Sequence, residues 1–228
     1  MLSLLSHILM ISVGYSLHPH RGIGFKRLYT YETEKCGPLK STSSDTNVED
    51  LGGPTLKFFG TEESIQGYRN YNEDTFVHSE DFIFSAVFDG HGGSEVSSFL
   101  KNFYNDETIK GITELSGKVE SEVLAEELKK SLIRADNDEN LRKMAIRRGS
   151  TAALLLLNPR GDKIDFITAN LGDSRIVLAK AGGIATDLTV DHKPKLERER
   201  RRVERPGGYV EWDNRIGGLA MSRAVGKY

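Results

Sequence analysis

Phe82-Ile83-Phe84-Ser85-Ala86-Val87-Phe88-Asp89-Gly90-His91-Gly92-Gly93 decides how this chain folds. From Phe82 to Phe88 only Ser85 is polar. A run this short, rich in aromatics and stopped by Asp-Gly, predicts a strand buried on both faces. Asp89 is then held rigidly at the strand's end. Gly90 is expected to let the backbone turn there and approach a ligand or ion closely. Aspartate oxygens and a peptide carbonyl are hard ligands that suit Mg²⁺ or Mn²⁺. His91 follows, where an imidazole can donate a proton to a leaving oxygen. The plain alternative is an Asp-Gly turn beside a solvated histidine. A histidine and three glycines within four residues argue against it.

Working outward, 94–104 reads as a helix with Val96, Phe99, Leu100 and Phe103 on one side. A longer helix is expected within 119–148, broken near Asn137, with Val123, Leu124, Leu128, Leu132 and Ile133 at helical spacing. Strands are expected at 151–157, 164–171 and 175–180, the last two joined as a hairpin by Gly172-Asp173-Ser174. Residues 194–205 read as a helix opened by Pro194, with Leu196 and Val203 toward the core. Residues 209–212 read as a strand, with Trp212 in the packing. Elements arrive in blocks rather than in strict alternation, which predicts an antiparallel α+β fold.

The 228 residues suit one domain plus a tail. Residues 55–228 are read as the domain and 1–54 as leader and linker, the linker centred on 41–47. The apolar stretch 1–13 is too short to span a bilayer and has no preceding Lys or Arg. It is read as a leader, with a signal or targeting segment as the alternative. A formal net charge of −2 marks neither a nucleic-acid nor a membrane binder. The basic run 198–205 is interleaved with Glu199 and Glu204 and reads as a solvated helix face. Cys36 is the only cysteine, so no disulfide forms within the chain. That points to a reducing compartment, cytoplasmic or nuclear.

Upstream stands Arg69-Asn70-Tyr71-Asn72-Glu73-Asp74. Adjacent carboxylates point in different directions, so one can meet a metal while the other holds water. A nearby arginine can fork onto phosphate oxygens through two parallel hydrogen bonds. Alone, the segment reads rather as a solvated charged loop.

Taken together, seven segments in order resemble the metal-dependent protein serine/threonine phosphatase family, type 2C. They are Gln66-Gly67 with Arg69 through Asp74, Asp89 through Gly93, Gly149-Ser150-Thr151-Ala152, Asn170 through Arg175, Asp191-His192-Lys193-Pro194, Gly207-Gly208, and Gly218 through Ala224. The resemblance implies two stacked antiparallel sheets flanked by helices, an α-β-β-α sandwich. It implies hydrolysis of phosphoserine and phosphothreonine in phosphoprotein substrates by water activated between two Mg²⁺ or Mn²⁺ ions. Carried over, Asp89 bridges both ions, while Glu73 and the Gly90 carbonyl bind one. Asp74 orients water, Arg69 holds the substrate phosphate and His91 protonates the departing alkoxide. Asp173 helps hold a weaker third ion. Without the resemblance, Asp173 is only an aspartate in a turn.

Lys227 departs from the pattern, which usually has aspartate after this glycine. The resemblance also implies two more metal-binding aspartates downstream of Tyr228. Residues 55–228 are therefore read as the N-terminal portion of the domain, with little turnover expected of residues 1–228 alone. The competing reading is an inactive relative that binds phosphoproteins or other partners. A two-metal nuclease is a third, against which the motif order argues.

Overall fold

The computed structural model describes residues 8–12, 28–35, 56–60, 62, 64, 66, 69–160, 163–180 and 184–226. The expected leader and linker fall largely outside these, as do Cys36 and Lys227. Three antiparallel strands open the chain: β1 (Ile8–Ser12), β2 (Leu28–Lys35) and β3 (Leu56–Phe59), in that spatial order. Next come β4 (Asp74–His78) and β5 (Phe84–His91), then four helices: α1 (Glu95–Phe103), α2 (Asp106–Thr113), α3 (Ser121–Asp136) and α4 (Glu139–Met144). They are followed by β6 (Gly149–Ser150), β7 (Ala152–Arg160), β8 (Lys163–Leu171), β9 (Val177–Lys180), β10 (Ile184–Asp187), α5 (Glu197–Glu204) and β11 (Val225–Gly226).

Strands β11, β6, β5, β7 and β8 pair in that order, and β4 pairs with β5 to complete a six-stranded antiparallel sheet. Its two faces follow from the period-two alternation of strand side chains. Phe84, Ala86 and Phe88 on β5 and Ala152, Leu154 and Leu156 on β7 face the helices, packed with Val96, Leu100, Tyr104, Leu124 and Leu128. Val87, Ala153, Leu155 and Leu157 face the other way, onto Phe58 of β3, Ile176 and Leu178 of β9. Each fully buried large apolar side chain contributes roughly 1.5–3 kcal/mol, so both faces of this sheet help hold the layers together. Tyr104 stacks on Phe84 and Phe88, and its hydroxyl meets Ser131 at 3.0 Å. Burial pushes that phenol up to about 12.

The fold is thus α+β with antiparallel sheets, as expected, and the helix break near Asn137 falls between α3 and α4. Five expectations are corrected. The strand does not end at Asp89: β5 runs on through Gly90 and His91, which pair with Ser150 and Gly149. Gly172-Asp173-Ser174 is not a hairpin turn, since β8 belongs to the six-stranded sheet and β9 pairs with β10. Residues 209–212 form no strand, and Trp212 is 93% exposed. Val123 and Ile133 are about half exposed, because the buried stripe of α3 runs through Leu124, Leu128, Ser131 and Ala135. On α5 the buried residue is Glu199 rather than Leu196 or Val203.

Candidate functional site

Strand register brings the two aspartates together. Asp74, the first residue of β4, lies directly opposite Asp89 on β5. Opposed residues in an antiparallel pair share a face, with Cβ atoms about 4.5–5.5 Å apart. Here the face is the one on which Phe76 and Val87 pack with Phe58 and Ile176. Like charges directly opposite are destabilising.

Glu73 is fixed through its backbone. Its carbonyl accepts from the Gly90 N–H at 3.2 Å and from the Ser97 hydroxyl at 2.5 Å, tying it to β5 and α1. Gly90 is therefore needed for close approach, not for a turn. A methyl there would stand 2.5 Å from the Glu73 carbonyl oxygen and 2.8 Å from Ser97 Oγ.

The loop before β4 is organised by two side-chain amides. Gln66 Nε2 donates to the carbonyls of Arg69 (2.7 Å) and Asn70 (3.1 Å). Asn72 Oδ1 accepts from the Asp74 N–H at 3.1 Å, and its Nδ2 donates to Ser64 Oγ at 2.6 Å. The result is an open polar depression lined by Gln66, Arg69, Tyr71, Asn72, Glu73, Asp74, Asp89 and Gly90. Of the residues expected at the site, Arg69, Glu73, Asp74, Asp89 and Gly90 come together here.

His91 and Asp173 do not line the depression. The His91 ring lies against Gly149, with both nitrogens buried. Asp173 is only 2% exposed and is ion-paired with the Lys193 ammonium. A buried carboxylate needs such a counter-charge. Sequence reasoning gave Gln66, Asn72 and Thr151 no individual role. Thr151 Oγ1 accepts from the Asp89 N–H at 3.0 Å, and its own N–H donates to the Asp89 carbonyl at 2.9 Å. Its hydroxyl also meets Ser174 Oγ at 2.5 Å. The only sequence signal for Thr151 was its place in a recurrent segment.

A second layer of contacts holds the Asp173 turn. Gly172 sits at φ +108°, and a side chain there would stand 2.7 Å from Thr151 Cγ2. The His192 N–H donates to the Gly172 carbonyl at 2.8 Å, and the Gly172 N–H donates to His192 Nδ1 at 3.2 Å. An accepting Nδ1 requires a neutral ring. Burial, with the nearby Arg223 charge, pushes this imidazole down from its usual range. Arg175 forks onto both oxygens of Asp191 at 3.0 Å. The Ser222 N–H reaches the His192 carbonyl at 2.8 Å.

That segment is anchored in turn by Glu199, which is 1% exposed. Glu199 accepts from Arg223 Nε and Nη2 at 2.9 and 2.7 Å, from Ser222 Oγ at 2.8 Å and from Arg202 Nε at 3.1 Å. Arg223 above all holds its carboxyl at about 2.

The donors in the depression are carboxylates and a carbonyl, a set suited to Mg²⁺ or Mn²⁺. Among the described residues no group of three or more His, Cys, Asp or Glu side chains is gathered to hold a metal ion by itself. A small hard cation fits such a partial set, because it retains several waters and takes one or two carboxylates.

Comparison with known proteins identifies the family. Residues 58–228 match the family model described as Protein phosphatase 2C, and the chain belongs to that family. The chain is 39% identical over 215 residues to "Probable protein phosphatase 2C 11" of Arabidopsis thaliana, covering 82% of this chain and 53% of that protein. It is 34% identical over 177 residues to "Protein phosphatase 1L" of Bos taurus, covering 72% of this chain and 48% of that one. The chain thus spans about half the length of each. The solved structure of PppA, described as a key regulatory component of T6SS in Pseudomonas aeruginosa, aligns at TM-score 0.47 and 22% identity. That alignment covers 70% of this chain and 62% of the other. No helix among the described residues is long and apolar enough to cross a membrane.

Proposed function

We propose that this protein hydrolyses phosphoserine and phosphothreonine esters of proteins in a reaction that depends on Mg²⁺ or Mn²⁺. The observation that carries the reading is the face-to-face pair Asp74 and Asp89 in a depression shared with Arg69. Two opposed carboxylates supply negative charge for cations, and the arginine supplies a planar fork for a phosphate. Asp89, Glu73 and the Gly90 carbonyl would hold two divalent ions. When bound, such ions offset the charge of a dianionic ester and acidify water.

The chain's own groups do the rest. Arg69 fixes the phosphate and takes up charge that spreads over its oxygens during in-line displacement. Asp74 accepts a hydrogen bond from the attacking water and so orients it. His91 is assigned the proton for the leaving oxygen, which requires its ring to rotate off Gly149 toward the depression. Asp173 is assigned a further, weaker cation in exchange for Lys193.

The test is phosphate release from a phosphothreonine peptide with Mn²⁺ and with chelator, beside a DNA substrate. Little release is expected of residues 1–228 alone; divalent-dependent release from the peptide but not from the DNA is expected of the chain extended with a family-type C-terminal segment, and its absence there sinks the reading. Arg69→Ala is expected to raise KM for the peptide about ten- to a hundredfold, the loss of one charge-assisted bidentate contact. Arg69→Lys should restore only part of that, since an ammonium cannot reproduce the fork. Kinetics of Arg69→Ala equal to those of the parent would leave Arg69 as an exposed surface residue.

A further inference from the structure

Tyr71 stands at the edge of the depression, whose own lining is polar, and its aromatic side chain is 72% exposed. Among the described residues its ring and hydroxyl have no partner. Nothing in the packing of the described residues accounts for an aromatic there. The backbone that carries it is well held. On one side Gln66 Nε2 donates to the Asn70 carbonyl at 3.1 Å; on the other, Asn72 is bonded to Ser64 and to the Asp74 N–H. The ring therefore projects from a braced turn. An aromatic has few rotatable bonds to immobilise, so it offers contact area at low entropic cost.

We propose that Tyr71 determines substrate selectivity by packing against the peptide residue next to the phosphorylated one, with preference for a bulky apolar side chain. This rests on the reading of the depression as a phosphopeptide site. A phosphate held by Arg69 places the peptide beside a ring only two positions along the chain. Neighbouring peptide residues are about 3.8 Å apart, so the adjacent side chain falls within reach of that ring. The other lining groups are polar or charged. The exposed Tyr71 ring at the edge of the depression is thus the surface suited to an apolar neighbour of the phosphorylated residue, and a peptide flanked by glycines would leave it in water.

The experiment measures, by fluorescence anisotropy with Mn²⁺ present, the affinity of two phosphothreonine peptides that differ only in leucine or glycine flanks. The proteins are the parent, Tyr71→Ala and Tyr71→Phe. Exposure of Tyr71 means that neither substitution should shift the thermal melt. The parent is expected to prefer the leucine-flanked peptide about five- to tenfold. That preference should fall to near unity in Tyr71→Ala and persist in Tyr71→Phe. A parent without the preference, or a Tyr71→Ala protein that keeps it, overturns the proposal. Phosphate release followed in the same samples separates the two readings. Tyr71-dependent selectivity without turnover, in the chain extended with a family-type C-terminal segment, retains this proposal and removes the catalytic one. Turnover with unchanged selectivity in Tyr71→Ala does the reverse.

Discussion

Asp89→Asn is expected to move metal affinity and stability in opposite directions. Asp89 stands directly across from Asp74 on paired strands. Without cations the two carboxylates repel, at a cost of roughly 0.2–1 kcal/mol for such a pair. Asparagine removes that repulsion and keeps the side-chain size. Backbone support is untouched, because Thr151 bonds the N–H and carbonyl of residue 89. The metal-free variant should therefore unfold at an equal or slightly higher urea concentration than the parent. Mn²⁺ affinity by calorimetry should fall by at least about 100-fold. Even outer-shell substitutions cost about 10–100-fold in metal affinity, and this one removes a charged donor. Unaltered affinity would remove Asp89 from the metal site. A large fall in stability would mean that its charge is structural.

Glu199→Gln should cost more stability than any surface change. The buried carboxylate faces Arg223, Arg202 and Ser222. An amide offers one accepting oxygen and turns an NH₂ toward donors, leaving Arg223 without its counter-charge. Breaking one side of a buried pair costs about 3–5 kcal/mol, a large share of the 5–15 kcal/mol typical of a domain.

The pH dependence has a definite sign. The carboxyl sits at about 2 in the fold, against 4.5 when unperturbed. Its contribution is therefore complete above about 4.5 and is lost as pH falls toward 2. The gap corresponds to about 3 kcal/mol. Parent and variant should differ most in urea unfolding near neutral pH and converge as pH falls through that window. Circular dichroism is the suitable probe, because the sole tryptophan, Trp212, is 93% exposed already. A difference under about 1 kcal/mol at pH 7, or one that grows on acidification, would contradict this account.

What the sequence revealed divides along physical lines. The core of β5 was legible because burial on both faces leaves an unbroken apolar run. The division between α3 and α4 was legible because Asn137 and Asp138 interrupt the pattern, and Asp138 caps the next helix. β4 was not read: all five of its residues are only partly buried, so no sharp alternation marks it. β6 and β11 have two residues each and exist only through their partners. The Gly172 turn carries the same local signal whether it closes a hairpin or passes the chain between sheets. Only Thr151 and His192 decide which. Residue types at the site were legible as candidates. Opposition of Asp74 and Asp89 was not, since it depends on register across the β4–β5 turn. Nor was the burial of Glu199, which depends on Arg223 arriving from the distant end of the chain.

The β4–β5 ladder also bears on how the chain reaches its native state. Asp74 and Asp89 meet by closing a short connection whose turn is stapled by Ser79 and Asp81. The Ser79 N–H donates to the Phe84 carbonyl, and Asp81 accepts from both Ser79 Oγ and the Ile83 N–H. Pairing of β5 with β7 must instead close a loop containing α1 to α4. Local hairpins form in microseconds, whereas contacts between distant segments wait on a larger loss of chain entropy. The β4–β5 pairing, which sets the two carboxylates face to face, is therefore expected to form faster than the pairing of β5 with β7. During that interval a divalent ion binding between them would favour the correct strand register, and so could act on the folding route as well as on the finished protein.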